Sequence, residues 1–96
     1  MSKPILLTRD QIQLRLQTLR DWSFASDSLI AEFRFANFVD AFGFISQVAL
    51  TAQAVGHYPE WSNRYDKVKV RLYTPELGGI SDRDFDLARR INRLIR

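Results

Sequence analysis

His57 heads the segment His57-Tyr58-Pro59-Glu60-Trp61-Ser62-Asn63. It is the only side chain here whose ordinary pKa lies near neutrality. A group of that kind can give or take a proton in general acid–base chemistry. No base stands beside it in the sequence, and without one the commoner role is that of a surface or hydrogen-bonded loop histidine. Trp22, Tyr58, Trp61, Tyr65 and Tyr73 could line a site for a flat heteroaromatic ligand, because stacking favours parallel π-faces. Core packing is the plainer role for such rings, above all for Trp22. Trp61 lies in a polar turn outside any apolar periodicity.

Two further sets carry charge. Lys67, Lys69 and Arg71 alternate along one segment, and Arg89, Arg93 and Arg96 follow near the end. Together they could contact phosphates, yet Asp82, Asp84 and Asp86 stand nearby and Asp86 to Arg90 is an i, i+4 pair, which favours a solvated face. Glu60, Glu76 and the three aspartates form no spaced carboxylate set. No glycine loop for phosphate and no Ser-His-Asp order can be read from a chain with one histidine.

Ninety-six residues make one domain, 1–96, with a single core. The content of 46% hydrophobic and 26% charged residues is that of a globular chain and argues against disorder. With no cysteine, a disulfide framework, a thiolate zinc site and a cysteine nucleophile are excluded, and the composition fits a cytoplasmic protein. One histidine excludes a multi-histidine metal site. The net charge of +3 is too small to imply nucleic acid. The start, Met1 to Asp10, lacks the apolar run and cleavage site of a signal peptide, and no apolar stretch of about 18 residues is expected to span a bilayer.

These residues must be positioned by a small set of elements. Thr8 with Gln11 is a capping-box pattern, and Ile12, Leu16 and Leu19 share one helical face, predicting a helix over about 9–19. Trp22 and Phe24 alternate with small residues, Ser26-Asp27-Ser28 supplies a turn, and Ala31, Phe33 and Phe35 alternate with Glu32 and Arg34. A hairpin over 22–25 and 29–35 follows. Asn37 is a good N-cap with Asp40 in the first turn, and the helix it starts runs over 38–55, with Phe38, Phe42, Ile45, Ala49 and Ala52 as its main stripe. Val39, Gly43, Phe44, Val48 and Leu50 widen the apolar arc so far that a subunit interface is implied. Gly56 closes the helix. His57 to Asn63 reads as a loop. Val68, Val70 and Leu72 alternate with Lys67, Lys69, Arg71 and Tyr73 as a strand. Pro75 stops it, Gly78-Gly79 turns the chain, and Ser81 with Asp84 caps a last helix whose apolar face is Phe85, Ala88, Ile91 and Ile95.

At the loop the pattern becomes specific. Gly56-His57-Tyr58-Pro59-Glu60-Trp61, then Tyr65, the basic strand, Gly78-Gly79 and Asp82-Arg83-Asp84 resemble the pterin-4a-carbinolamine dehydratase family. The Asp21-Trp22 start of the first strand and the Phe-rich segment at 33–44 are similar too, so the resemblance covers nearly the whole chain. It implies an α+β fold of order α-β-β-α-β-β-α, a four-stranded antiparallel sheet with three helices on one face. It also implies a homodimer or homotetramer, and dehydration of 4a-hydroxytetrahydropterin to the quinonoid dihydropterin with neither metal nor other cofactor. That reaction needs a proton donor at the leaving hydroxyl and an acceptor for a ring-nitrogen proton.

By the same resemblance His57 matches the family's first histidine, Pro59 its proline, Tyr65 its aromatic and Asp84 its distal aspartate, while Trp22 and Arg83 match positions lining the pocket. The sequence departs from the pattern at three places: Tyr58 stands for the second histidine, Pro75 for the third and Gln53 for the charged residue before the motif. A phenol of ordinary pKa about 10 is a poor base at neutral pH but can donate a proton; proline can do neither. One implication is a slowed dehydratase working through His57 and Tyr58, with Trp22, Pro59, Trp61, Arg83 and Asp84 holding the pterin. The other is a catalytically silent scaffold that acts on a protein client, as relatives do in Rubisco assembly or in transcription-factor dimerisation.

Overall fold

Alternation of apolar and charged residues builds the sheet, and the computed structural model describes it within residues 3–95. Met1, Ser2 and Arg96 lie outside the described residues, and with them the first two positions of the N-terminal segment and one member of the basic set. Helix α1 (Arg9–Leu16) is followed by β1 (Ser23–Ala25), β2 (Ser28–Arg34), α2 (Phe38–Val55), β3 (Glu60–Arg64), β4 (Lys67–Leu72), a 3₁₀ turn over Pro75–Leu77 and α3 (Asp82–Leu94). The sheet is antiparallel in the order β1-β2-β4-β3. This is the α+β architecture, with the order α-β-β-α-β-β-α, that the sequence implies.

Register decides which side chains share a face. Leu29 pairs with Leu72, Ala31 with Val70 and Phe33 with Val68, and all six are buried in one core with Ile12 of α1, Phe44, Ile45 and Val48 of α2, and Phe85, Leu87, Ala88 and Ile91 of α3. The helices therefore cover one face of the sheet. Ile30, Glu32, Arg34, Lys67, Lys69, Arg71, Glu60, Ser62 and Arg64 occupy the opposite face, away from α3, so the cations of β4 and those of α3 form no single basic surface.

The caps behave as their sequences dictate. Thr8 Oγ1 accepts from the Gln11 amide while Gln11 Oε1 accepts from the Thr8 amide, and Asn37 Oδ1 accepts from the Asp40 amide. Helix α1 ends at Leu16, and tighter bonds from Thr18 to Arg15 and Leu19 to Leu16 carry Leu19 into the core as a turn rather than as helix. The β1–β2 hairpin closes through Ser26 and Asp27, both with positive φ (52° and 60°), the backbone of a two-residue turn matched to strand twist.

Three further expectations change. Helix α2 buries Ala41, Phe44, Ile45, Val48 and Ala52; Phe38, Phe42 and Ala49 of the expected stripe are exposed. The helix has two apolar arcs, and periodicity cannot choose which of them meets the sheet. Strand β3 occupies Glu60–Arg64, inside the expected loop. It lies at the sheet edge with most of its residues exposed, so no apolar alternation marks it. Finally, α2 is long and apolar enough to cross a membrane by length and composition, at 18 residues and a mean hydropathy of 1.3, although one of its arcs is packed in the core.

Candidate active site

Two helix ends converge on His57. Gly56 ends α2 in the left-handed conformation (φ 73°), a geometry that a side chain disfavours, and the turn drops His57 toward the start of α3. There Ser81 is the N-cap and Asp84 the third helical residue. His57 Nε2 and Asp84 Oδ1 are 2.6 Å apart, with His57 8% exposed and Asp84 fully buried.

The carboxylate is held from both sides. Asp84 Oδ2 accepts the Ser81 amide at 3.0 Å and the Thr74 hydroxyl at 2.8 Å. With the Thr74 proton committed to Asp84, the 2.7 Å contact between Thr74 Oγ1 and Ser81 Oγ has Ser81 as donor, and Ser81 Oγ in turn accepts the Arg83 amide. Both bonds that reach Asp84 Oδ2 come from donors, the environment of an ionised carboxylate. The imidazole then carries its proton on Nε2. Its Nδ1 has no hydrogen-bond partner among the described residues, yet no buried side-chain N or O is left unpaired. Nδ1 therefore lies on the small part of the ring that solvent reaches. A buried carboxylate fixing the tautomer and orientation of a histidine, with the other nitrogen open, is an arrangement suited to moving protons.

The remaining predicted residues are placed as follows. Tyr58 is exposed, and its hydroxyl donates to Gln53 Oε1 at 3.2 Å. Pro59 is half-buried and leads into β3. Trp61 is 41% exposed on the helix side of β3, in register with Val70 and Ala31. Arg83 reaches Glu76 at 3.6 Å. Trp22 is buried, its Nε1 donating to Asn92 Oδ1 at 2.8 Å and its ring edge-on to Phe33. Asn92 stands eight residues after Asp84, about 12 Å along the helix at 1.5 Å per residue, so Trp22 sits at the other end of α3 from the carboxylate. Tyr65 caps the β3–β4 hairpin at the far end of β3 from His57, and Pro75 starts the exposed 3₁₀ turn. The fold thus joins His57 to Asp84, with Tyr58, Pro59 and Arg83 as chain neighbours of the pair, and keeps Trp22 apart. Among the described residues no group of three or more His, Asp or Glu could hold a metal.

Thr74 and the side chain of Ser81 complete the network without having been singled out as site residues. The Ser81-x-x-Asp84 spacing announces the cap, but nothing local announces that β4 delivers Thr74 to the same carboxylate. Beside the site, on the outer sheet face, Glu60 accepts from Tyr73 Oη at 2.8 Å and from Arg71 at 3.0 Å. The Tyr73 hydrogen bond and then the Arg71 bond hold the Glu60 carboxyl below the usual glutamate range, and Glu60 pushes the Tyr73 phenol up.

Comparison with known proteins places this geometry. Residues 5–94 match the family described as Pterin 4 alpha carbinolamine dehydratase. A protein of Prochlorococcus marinus named "Putative pterin-4-alpha-carbinolamine dehydratase" is 47% identical over 89 residues, covering 93% of each chain. One of the same name from Rhizobium johnstonii is 42% identical, over 91% of this chain and 88% of that one. The crystal structure of a transcriptional coactivator/pterin dehydratase from Brucella melitensis superposes with a TM-score of 0.92 at 33% identity, covering 96% of this chain and all of that one.

Proposed function

The chain belongs to the pterin-4a-carbinolamine dehydratase family, and from that premise we propose that it dehydrates 4a-hydroxytetrahydropterin to the quinonoid dihydropterin, with His57 as the proton-transfer group. The observation that carries this reading is the 2.6 Å bond from His57 Nε2 to a buried Asp84, which leaves Nδ1 facing outward. In the reaction the bond from C4a to the hydroxyl oxygen breaks, the oxygen leaves as water with a donated proton, and a ring nitrogen gives up its own proton. Tyr58 is the donor in this scheme and His57 Nδ1 the acceptor; a later transfer from imidazolium to phenolate restores both. Asp84 orients the imidazole, while Pro59, Trp61 and Arg83 flank the substrate. Tyr58 and Pro75 in place of histidines make the enzyme a slow one, because a phenol is a poor base at neutral pH and proline carries no proton. Stopped-flow dehydration of freshly generated substrate tests this. Acceleration over buffer that is lost in His57→Ala is the expected result, and an equal rate in the variant would remove the proposal.

The exposed apolar arc of α2 supports a homo-oligomer, which the dehydratase reading also expects. Phe38, Val39, Phe42 and Leu50 stand out of the core, Phe42 57% and Leu50 73% exposed. A second copy of the chain is the occupant proposed for that arc, as a homo-oligomer. Light scattering at micromolar concentration is expected to give a multiple of 11.2 kDa; a stable monomer would leave this arc without its proposed cover.

A further inference from the structure

On the outer face of the sheet, opposite the helices, register sorts charge into rows. Ile30, Arg71 and Glu60 form one row, Glu32, Lys69 and Ser62 the next, and Arg34, Lys67 and Arg64 the last. In the first row the cation is answered: Arg71 bonds Glu60 at 3.0 Å and lies 4.9 Å from the centre of the Tyr73 ring. In the last row three cations stand directly opposite one another, on neighbouring strands about 4.8 Å apart. Like charges so placed oppose sheet formation, and among the described residues none of the three makes an ion pair. Asp66, between Arg64 and Lys67, is half-buried and engages neither through its carboxylate, while its carbonyl accepts the Phe35 amide. At the hairpin tip beside the row, Tyr65 is exposed with a φ of 52°, a strained conformation for a bulky residue.

We propose that this end of the outer sheet face, Arg34, Lys67 and Arg64 with Tyr65 at its rim, docks an acidic segment of a partner polypeptide. The proposal goes beyond the dehydratase reading and does not depend on it. The row spans about 10 Å across three strands, a length over which an extended peptide presents two carboxylates on one side, at about 6.7 Å per two residues. Desolvation on docking would strengthen contacts that water now screens. Nucleic acid fits less well. Successive bases need several aromatic platforms, whereas Tyr65 is a lone ring and Tyr73 is held by Glu60 at the other end of the face.

The test is fluorescence anisotropy with a labelled decaglutamate peptide and, separately, a decathymidylate strand, at low and high salt. Three forms of the full chain are compared: the native protein, Arg34→Ser/Lys67→Ser, and the charge-matched control Arg9→Ser/Arg89→Ser, which removes two exposed cations elsewhere. The expected result is decaglutamate binding that weakens with salt, falls at least about tenfold in the row variant and less than about twofold in the control. Circular dichroism checks that each variant is folded, with Arg64→Ser on the edge strand as the substitute if the double variant is not. No decaglutamate binding by the native chain, equal losses in row variant and control, or tighter row-dependent binding of decathymidylate would each overturn the proposal.

Discussion

Two carboxylates, Asp84 and Glu60, each accept hydrogen bonds from a hydroxyl and a nitrogen, and they do opposite work. Asp84 is fully buried and takes three bonds, from His57, Thr74 and Ser81. Glu60 takes its bonds from Tyr73 and Arg71 in open water. Burial makes the difference: a desolvated charge must have every partner in place, whereas water can replace the partners of an exposed one. The interior cluster thus ties three elements together and aims a histidine, and the surface cluster adjusts two pKa values at little consequence for the fold.

Substitutions that remove one group at a time sharpen this contrast. Asp84→Ala should have the largest effect, a loss of about 3–5 kcal/mol in denaturant unfolding, because a buried pair is broken and the Thr74 hydroxyl loses its acceptor. Thr74→Val should lie between the extremes at about 1–3 kcal/mol. If either matched a surface change, the interior network would not be the lock described here. Glu60→Gln should leave the unfolding midpoint within error. Its effect belongs to titration. The Glu60 carboxyl is held below its ordinary value, so whatever stability it adds is present above the unfolded glutamate pKa and lost as the pH falls through the lowered value. Nuclear magnetic resonance titration of Tyr73→Phe should show the Glu60 midpoint rising toward normal; no movement would discount the phenol as the main cause.

The same contrast explains how much could be read in the sequence. Local signals survive because they are local: Thr8 with Gln11, Asn37, Gly56 and Ser81 with Asp84 mark helix ends, and Val68-Lys69-Val70-Arg71-Leu72 marks a strand whose one face is buried. Strand β3 has no such mark, since an exposed edge strand imposes no alternation. Both arcs of α2 are apolar, so the choice between Phe42 and Phe44 is made by the sheet. In the site, His57 and Asp84 were legible through the family resemblance, and the cap through its spacing. Thr74 was not, because its meeting with Asp84 depends on how the end of β4 lies against the start of α3. Trp22 places its indole on Asn92 and Phe33, contacts that no local pattern announces.

The central claim is that Asp84 pins His57 through Nε2 and leaves Nδ1 open. The chain has one histidine, so a ¹⁵N spectrum of the labelled protein contains one imidazole. The account predicts that the neutral ring carries its proton on Nε2, with Nδ1 showing the shift of an unprotonated nitrogen, and that Asp84→Asn disturbs this preference. A neutral ring protonated on Nδ1 in the native chain would contradict it.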